Sequence, residues 1–91
     1  MWNRMTKLEQ KLCELGYEQW RYSLEYITYT KTYNDKVDLN IYVTNNKDKI
    51  VDWFVYVEEF TFKKQEYIDK LQQAFNILQN DLEVLKECQN V

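Results

Sequence analysis

An α+β fold of order α-β-β-β-α, a three-stranded antiparallel sheet with two helices on one face and a long C-terminal helix, is what the sequence predicts. Two observations carry that prediction. From Trp20 to Phe62, aromatic and β-branched residues alternate with polar ones at period two, the pattern of half-buried strands. A short helix-period pattern precedes this block and a long one follows it. The chain has 91 residues, no Pro and a single Gly, so residues 1–91 are read as one domain with one modest core and no flexible linker.

The first helix is expected over Lys7–Leu15. Thr6-Lys7-Leu8-Glu9 has the form of a capping box, and Met5, Leu8, Leu12 and Leu15 follow at helical spacing. Gly16 should stop the helix by taking the left-handed conformation, with Tyr17 folding back on the last turn. In the first strand Trp20, Tyr22, Leu24 and Tyr26 keep one parity, then Ile27, Tyr29 and Tyr33 take the other. A strand cannot change phase without an irregularity, which predicts a bulge or bend near Tyr26–Ile27. Asn34-Asp35-Lys36 supplies turn chemistry. In the second strand Val37, Leu39, Ile41 and Val43 oppose Asp38, Asn40, Tyr42 and Thr44. After a second turn at Asn45–Lys49, the third strand sets Val51, Trp53, Val55 and Val57 against Ile50, Asp52, Phe54 and Tyr56. Thr61 is a suitable N-cap for the last helix. Ile68, Leu71, Phe75, Leu78, Leu82 and Leu85 then recur at heptad spacing, widened by Tyr67, Ala74 and Cys88.

Composition excludes more chemistry than it suggests. There is no His, the commonest general base and metal ligand. Ser23 is the only serine, and no glycine-rich loop is present to hold phosphate. Cys13 and Cys88 cannot build a zinc site by themselves. They read as two reduced, packed thiols, with a disulfide between the helices compatible with the sequence. Asp35, Asp38 and Asp48 do not have calcium-loop spacing. The expectation is a non-enzyme without cofactor. No apolar run approaches membrane-spanning length. Met1–Arg4 lacks the apolar stretch of a secretory signal, so a cytoplasmic location is expected.

Net charge is −3, and residues 50–91 carry eight acids against four bases. This disfavours direct binding of nucleic acid, which depends on clustered Lys and Arg. The sheet face turned from the helices is the first candidate surface. There Tyr42, Phe54 and Tyr56, rimmed by Asp38, Asp52, Glu58 and Glu59, have the composition of a protein-binding site. Equally, cross-strand aromatic pairs of this kind stiffen small sheets. The long helix is the second. It should overhang the sheet, leaving Leu82 and Leu85 to be covered by the first helix or by the same helix of a second chain, as in a structural homodimer subunit.

Two resemblances bear on function. The α-β-β-β-α order with Lys63-Lys64 opening the last helix resembles the double-stranded-RNA-binding domain, which implies phosphate contacts by those lysines. The small residues that follow in that family are replaced here by Gln65, Glu66, Tyr67 and Ile68, and its loop between the first two strands has no counterpart in Asn34-Asp35-Lys36. The chain is also similar, as a small acidic protein rich in Lys, Asn and Tyr, to phage and mobile-element inhibitors such as anti-CRISPR proteins. That likeness implies a host defence complex with a basic, nucleic-acid-binding surface as the partner. Acids such as Glu58, Glu59, Glu66, Asp69 and Asp81 would then imitate phosphates.

Overall fold

Thr6 starts the first helix as the sequence reading expects: its hydroxyl accepts from the Glu9 amide at 3.0 Å. In the computed structural model, which describes residues 5–34, 36–58 and 63–89, this helix is α1, Lys7–Glu14. Only half of the capping box forms. The Glu9 carboxylate instead accepts from the Tyr29 hydroxyl at 3.1 Å and the Lys47 ammonium at 2.9 Å. The Thr6 hydroxyl donates to the Lys47 carbonyl, so the helix start is tied to a distant turn. At the other end Gly16 adopts φ +98°. Its amide bonds the Cys13 carbonyl and the Tyr17 amide bonds the Leu12 carbonyl, the double closure of a Schellman cap.

The sheet has four strands, not three: β1 Glu18–Tyr22, β2 Tyr26–Asn34, β3 Val37–Thr44 and β4 Ile50–Val57, paired antiparallel in that order. The phase change at Tyr26–Ile27 is therefore a hairpin turn rather than a bulge within one strand. Ser23 makes the turn: its Oγ accepts from the amides of Glu25 and Tyr26 and donates to the Tyr26 carbonyl. A serine turn of this kind carries no Gly, Pro or Asn to announce it. The element order is accordingly α-β-β-β-β-α.

The face toward the helices takes Ile27 and Tyr29 from β2 and Val37, Leu39, Ile41 and Val43 from β3, all fully buried. In β4 the pairing shifts between Asp52, opposite Tyr42, and Ile50, opposite Val43. The irregularity reverses the expected parity at the strand start. Ile50 packs on the core and Val51 is exposed.

The second helix, α2, spans Lys64–Lys86, with Lys63 at the N-cap and no side-chain capping bond. Thr61, the expected cap, lies outside the described residues. The buried stripe of α2 also sits beside the one the heptad count favours. Ala74, Leu78, Asp81 and Leu85 are buried, with Tyr67 and Leu71 packed against them, whereas Ile68 and Phe75 are exposed. The helix is about 34 Å long against about 27 Å for β4. Leu8 and Leu12 of α1 join Leu85 in the core, so the overhang is covered within the chain. Each such fully buried Leu contributes roughly 1.5–3 kcal/mol over an exposed one. Cys13 is exposed rather than packed, and neither it nor Cys88 is in a disulfide.

Candidate functional site

Two sheet faces result, and the helices cover one. On the other, successive strands place Tyr26, Tyr42 and Phe54 along a diagonal. The Tyr26 and Tyr42 rings stack at 4.5 Å between centroids, and Phe54 meets Tyr42 edge-on at 5.5 Å. These are geometries that aromatic pairs prefer. Phe54 is 40% exposed and Tyr56 54%.

Beside the diagonal runs a polar trough of about 550 Å³, lined by Glu18, Trp20, Thr30, Thr32, Asp38 and Asn40 and by Lys31, whose ammonium is turned to Asp81. Its floor is internally bonded. Thr30 Oγ1 donates to Asn40 Oδ1 at 2.8 Å, and Thr32 Oγ1 to Asp38 Oδ1 at 3.1 Å. Phe54 and Tyr56 stand opposite Asn40 and Asp38 in the β3–β4 register, and Trp20, 63% exposed, stands on the far side. The result is an acceptor-rich floor with one aromatic wall, Trp20, and with Phe54 and Tyr56 on the neighbouring strand. Such a surface suits a cationic side chain, which the carboxylates of Glu18 and Asp38 attract and an aromatic face can stack upon.

Of the residues the sequence singles out, Tyr42, Phe54, Tyr56, Asp38 and Asp52 share this open face. Asp52 accepts from the Trp53 amide at 2.8 Å. Glu58 follows β4 and forms a 3.4 Å ion pair with Lys36, so its charge is partly compensated. Glu59 lies outside the described residues. Leu85 is fully buried in the chain's own core and Leu82 is partly buried against it. Leu85 therefore offers no surface to a second chain. Lys63 and Lys64 are exposed at the start of α2. Sequence reasoning missed Trp20, Tyr26 and Glu18, because the turn at Ser23 and the irregular pairing between Gln19 and Arg21 set the face they occupy. Had a serine turn been placed there, the parity of Tyr26 would have matched that of Tyr42.

A second polar cluster lies beneath the sheet. Asp81 Oδ2 accepts from Tyr17 Oη at 2.8 Å and from Lys31 Nζ at 2.8 Å. Lys31 also donates to the Leu15 carbonyl and lies 4.9 Å from the centre of the Tyr17 ring. Burial raises the Tyr17 phenol far above its ordinary pKa, and the bond to Asp81 adds to the shift. With Tyr17 and Asp81 buried, this cluster holds α2 to β2 and to the cap of α1. Among the described residues no three His, Cys, Asp or Glu side chains converge as a metal site would need, and no helix is long and apolar enough to cross a membrane.

Comparison with protein-family models, curated proteins and solved structures finds no match to this chain.

Proposed function

We propose that this chain is a non-catalytic protein-binding domain that engages a partner through its open sheet face. The observation supporting the reading is the aromatic diagonal of half-buried Tyr26 and Tyr42 and exposed Phe54 beside a polar trough walled by Trp20. Preorganised aromatic side chains cost little entropy to immobilise and dominate the energetics of protein interfaces. Among the described residues no cation pairs with Glu18, Asp38 or Asp52, and these acids of the face select a basic partner surface. A protein that handles nucleic acid presents such a surface. Inhibition of a host defence complex by a phage-borne protein is the concrete form this takes.

The test uses the intact chain as bait in an extract of its native host, beside a Tyr42→Ala/Phe54→Ala variant and a Glu18→Lys/Asp38→Lys variant of matched folding. The reading expects a protein retained by the wild type and lost from both variants, with binding weakening as salt rises. Retention indifferent to both variants would remove the open face as the site. Tight, salt-sensitive binding of duplex RNA lost on Lys63→Glu/Lys64→Glu would replace the proposal with a nucleic-acid-binding one.

A further inference from the structure

The two edges of the sheet differ sharply. β1 is five residues long, carries Glu18 and Arg21, and has its pairing interrupted between Gln19 and Arg21. Short, charged and bulged strands are how proteins keep an edge from pairing. β4 is eight residues long, Ile-Val-Asp-Trp-Phe-Val-Tyr-Val, with regular pairing to β3 from Asp52 onward. Only Asp52 in it is charged. Among the described residues no strand pairs with its outer edge.

Which backbone groups that edge offers follows from one bond. The Glu58 amide donates to the Lys36 carbonyl at 3.0 Å, in register with the Val37–Val57 pair. Antiparallel pairs alternate, so Glu58, Tyr56 and Phe54 turn their amides and carbonyls toward β3. Trp53, Val55 and Val57 turn theirs outward. The Trp53 amide is occupied by the Asp52 carboxylate, a weak local substitute for a strand.

The helix above this edge is exposed on the same side. Gln79, Leu82, Glu83 and Lys86 border Trp53. At 100° per residue Ile68 and Phe75 project to that flank, away from Asp81, which faces β2. Ile68 is 42% exposed and Phe75 44%, with Leu71 between them.

We infer that the β4 edge pairs antiparallel with β4 of a second copy, joining two sheets into one of eight strands with the two α2 helices side by side. The spacing selects this occupant. α2 packs on both β3 and β4, placing its axis near the line between them. Adding one strand separation across the two-fold axis puts the two helix axes about 10 Å apart. Packed helices lie roughly 8–10 Å apart, so Ile68, Phe75 and Leu82 meet the same flank of the other protomer. A lone extended peptide from another protein would satisfy Val55 and Val57 but leave Ile68 and Phe75 in water. The exposed apolar side chains along this edge, Val51, Trp53, Ile68 and Phe75, amount to about 350 Å² per protomer, against roughly 800 Å² per partner in a stable interface. The strand backbones and the polar helix flank make up the difference. Pairing also sets the two open faces edge to edge, doubling the aromatic surface.

Sedimentation equilibrium of the intact chain, from micromolar to about 1 mM, tests this together with hydrogen exchange. A dimer is expected whose Val55 and Val57 amides are protected at high concentration and exchange freely on dilution. Ile68→Lys/Phe75→Glu, on exposed helix positions, should raise the dissociation constant at least tenfold with an unchanged circular dichroism spectrum. Tyr56→Lys on the strand should weaken the dimer as well and serves if the helix variant misfolds. A monomeric mass throughout, a dimer with unprotected Val55 and Val57 amides, or a dimer indifferent to both variants would overturn the inference.

Discussion

Asp81→Ala tests the account of how the long helix is fixed to the sheet. The Asp81 carboxylate is the acceptor for both Tyr17 Oη and Lys31 Nζ, each at 2.8 Å. Removing it leaves a buried phenol without its acceptor, at a cost of about 1–3 kcal/mol. It also leaves an ammonium whose side chain is only 21% exposed. Breaking one side of a fully buried ion pair costs about 3–5 kcal/mol. Lys31 keeps the Leu15 carbonyl and some water, which lowers its share, and the two losses overlap. The expected destabilisation is about 2–4 kcal/mol. Asp81→Asn keeps an acceptor for Tyr17 and should cost less, about 1–2 kcal/mol. The double variant Lys31→Met/Asp81→Leu removes both charges and should be more stable than the sum of its single changes by about 2 kcal/mol. Urea unfolding followed by far-UV circular dichroism, with a constant m-value, reads all of these. An Asp81→Ala cost under about 1 kcal/mol, or additivity in the double variant, would refute the assignment of Asp81 as the shared anchor.

Three further outcomes are expected. Gly16→Ala forces a Cβ into a left-handed position and within 3.3 Å of the Lys31 stem; it should cost about 1–2 kcal/mol, measured by thermal unfolding. Tyr17 has a raised pKa in the folded chain, so above pH 10 the unfolded chain loses that proton first. Stability should then fall by about 1.4 kcal/mol per pH unit from this group alone, and Tyr17→Phe should flatten the slope by that amount. Tyr42→Ala removes two ring contacts and should cost about 1–2 kcal/mol, whereas Phe54→Ala, which removes one, should cost about half as much.

The sequence by itself determined what depends on neighbours along the chain. Thr6 and Gly16 bound the first helix because capping is local. Val37 to Val43 alternate cleanly because a strand buried on one face must. The placing of Tyr42, Phe54 and Tyr56 on a common face follows from the same period of two. Three features were decided only by the tertiary structure. The extra strand depends on a turn made by one serine hydroxyl, which composition does not mark. The parity of Ile50 and Val51 depends on an irregular pairing with β3. Which flank of α2 is buried depends on the anchor at Asp81. A carboxylate scores as solvent-facing in any hydrophobic pattern until Lys31 and Tyr17, 50 and 64 residues away in sequence, are brought against it. Because that polar contact claims a place on the buried stripe, Ile68 and Phe75 turn outward over the β4 edge.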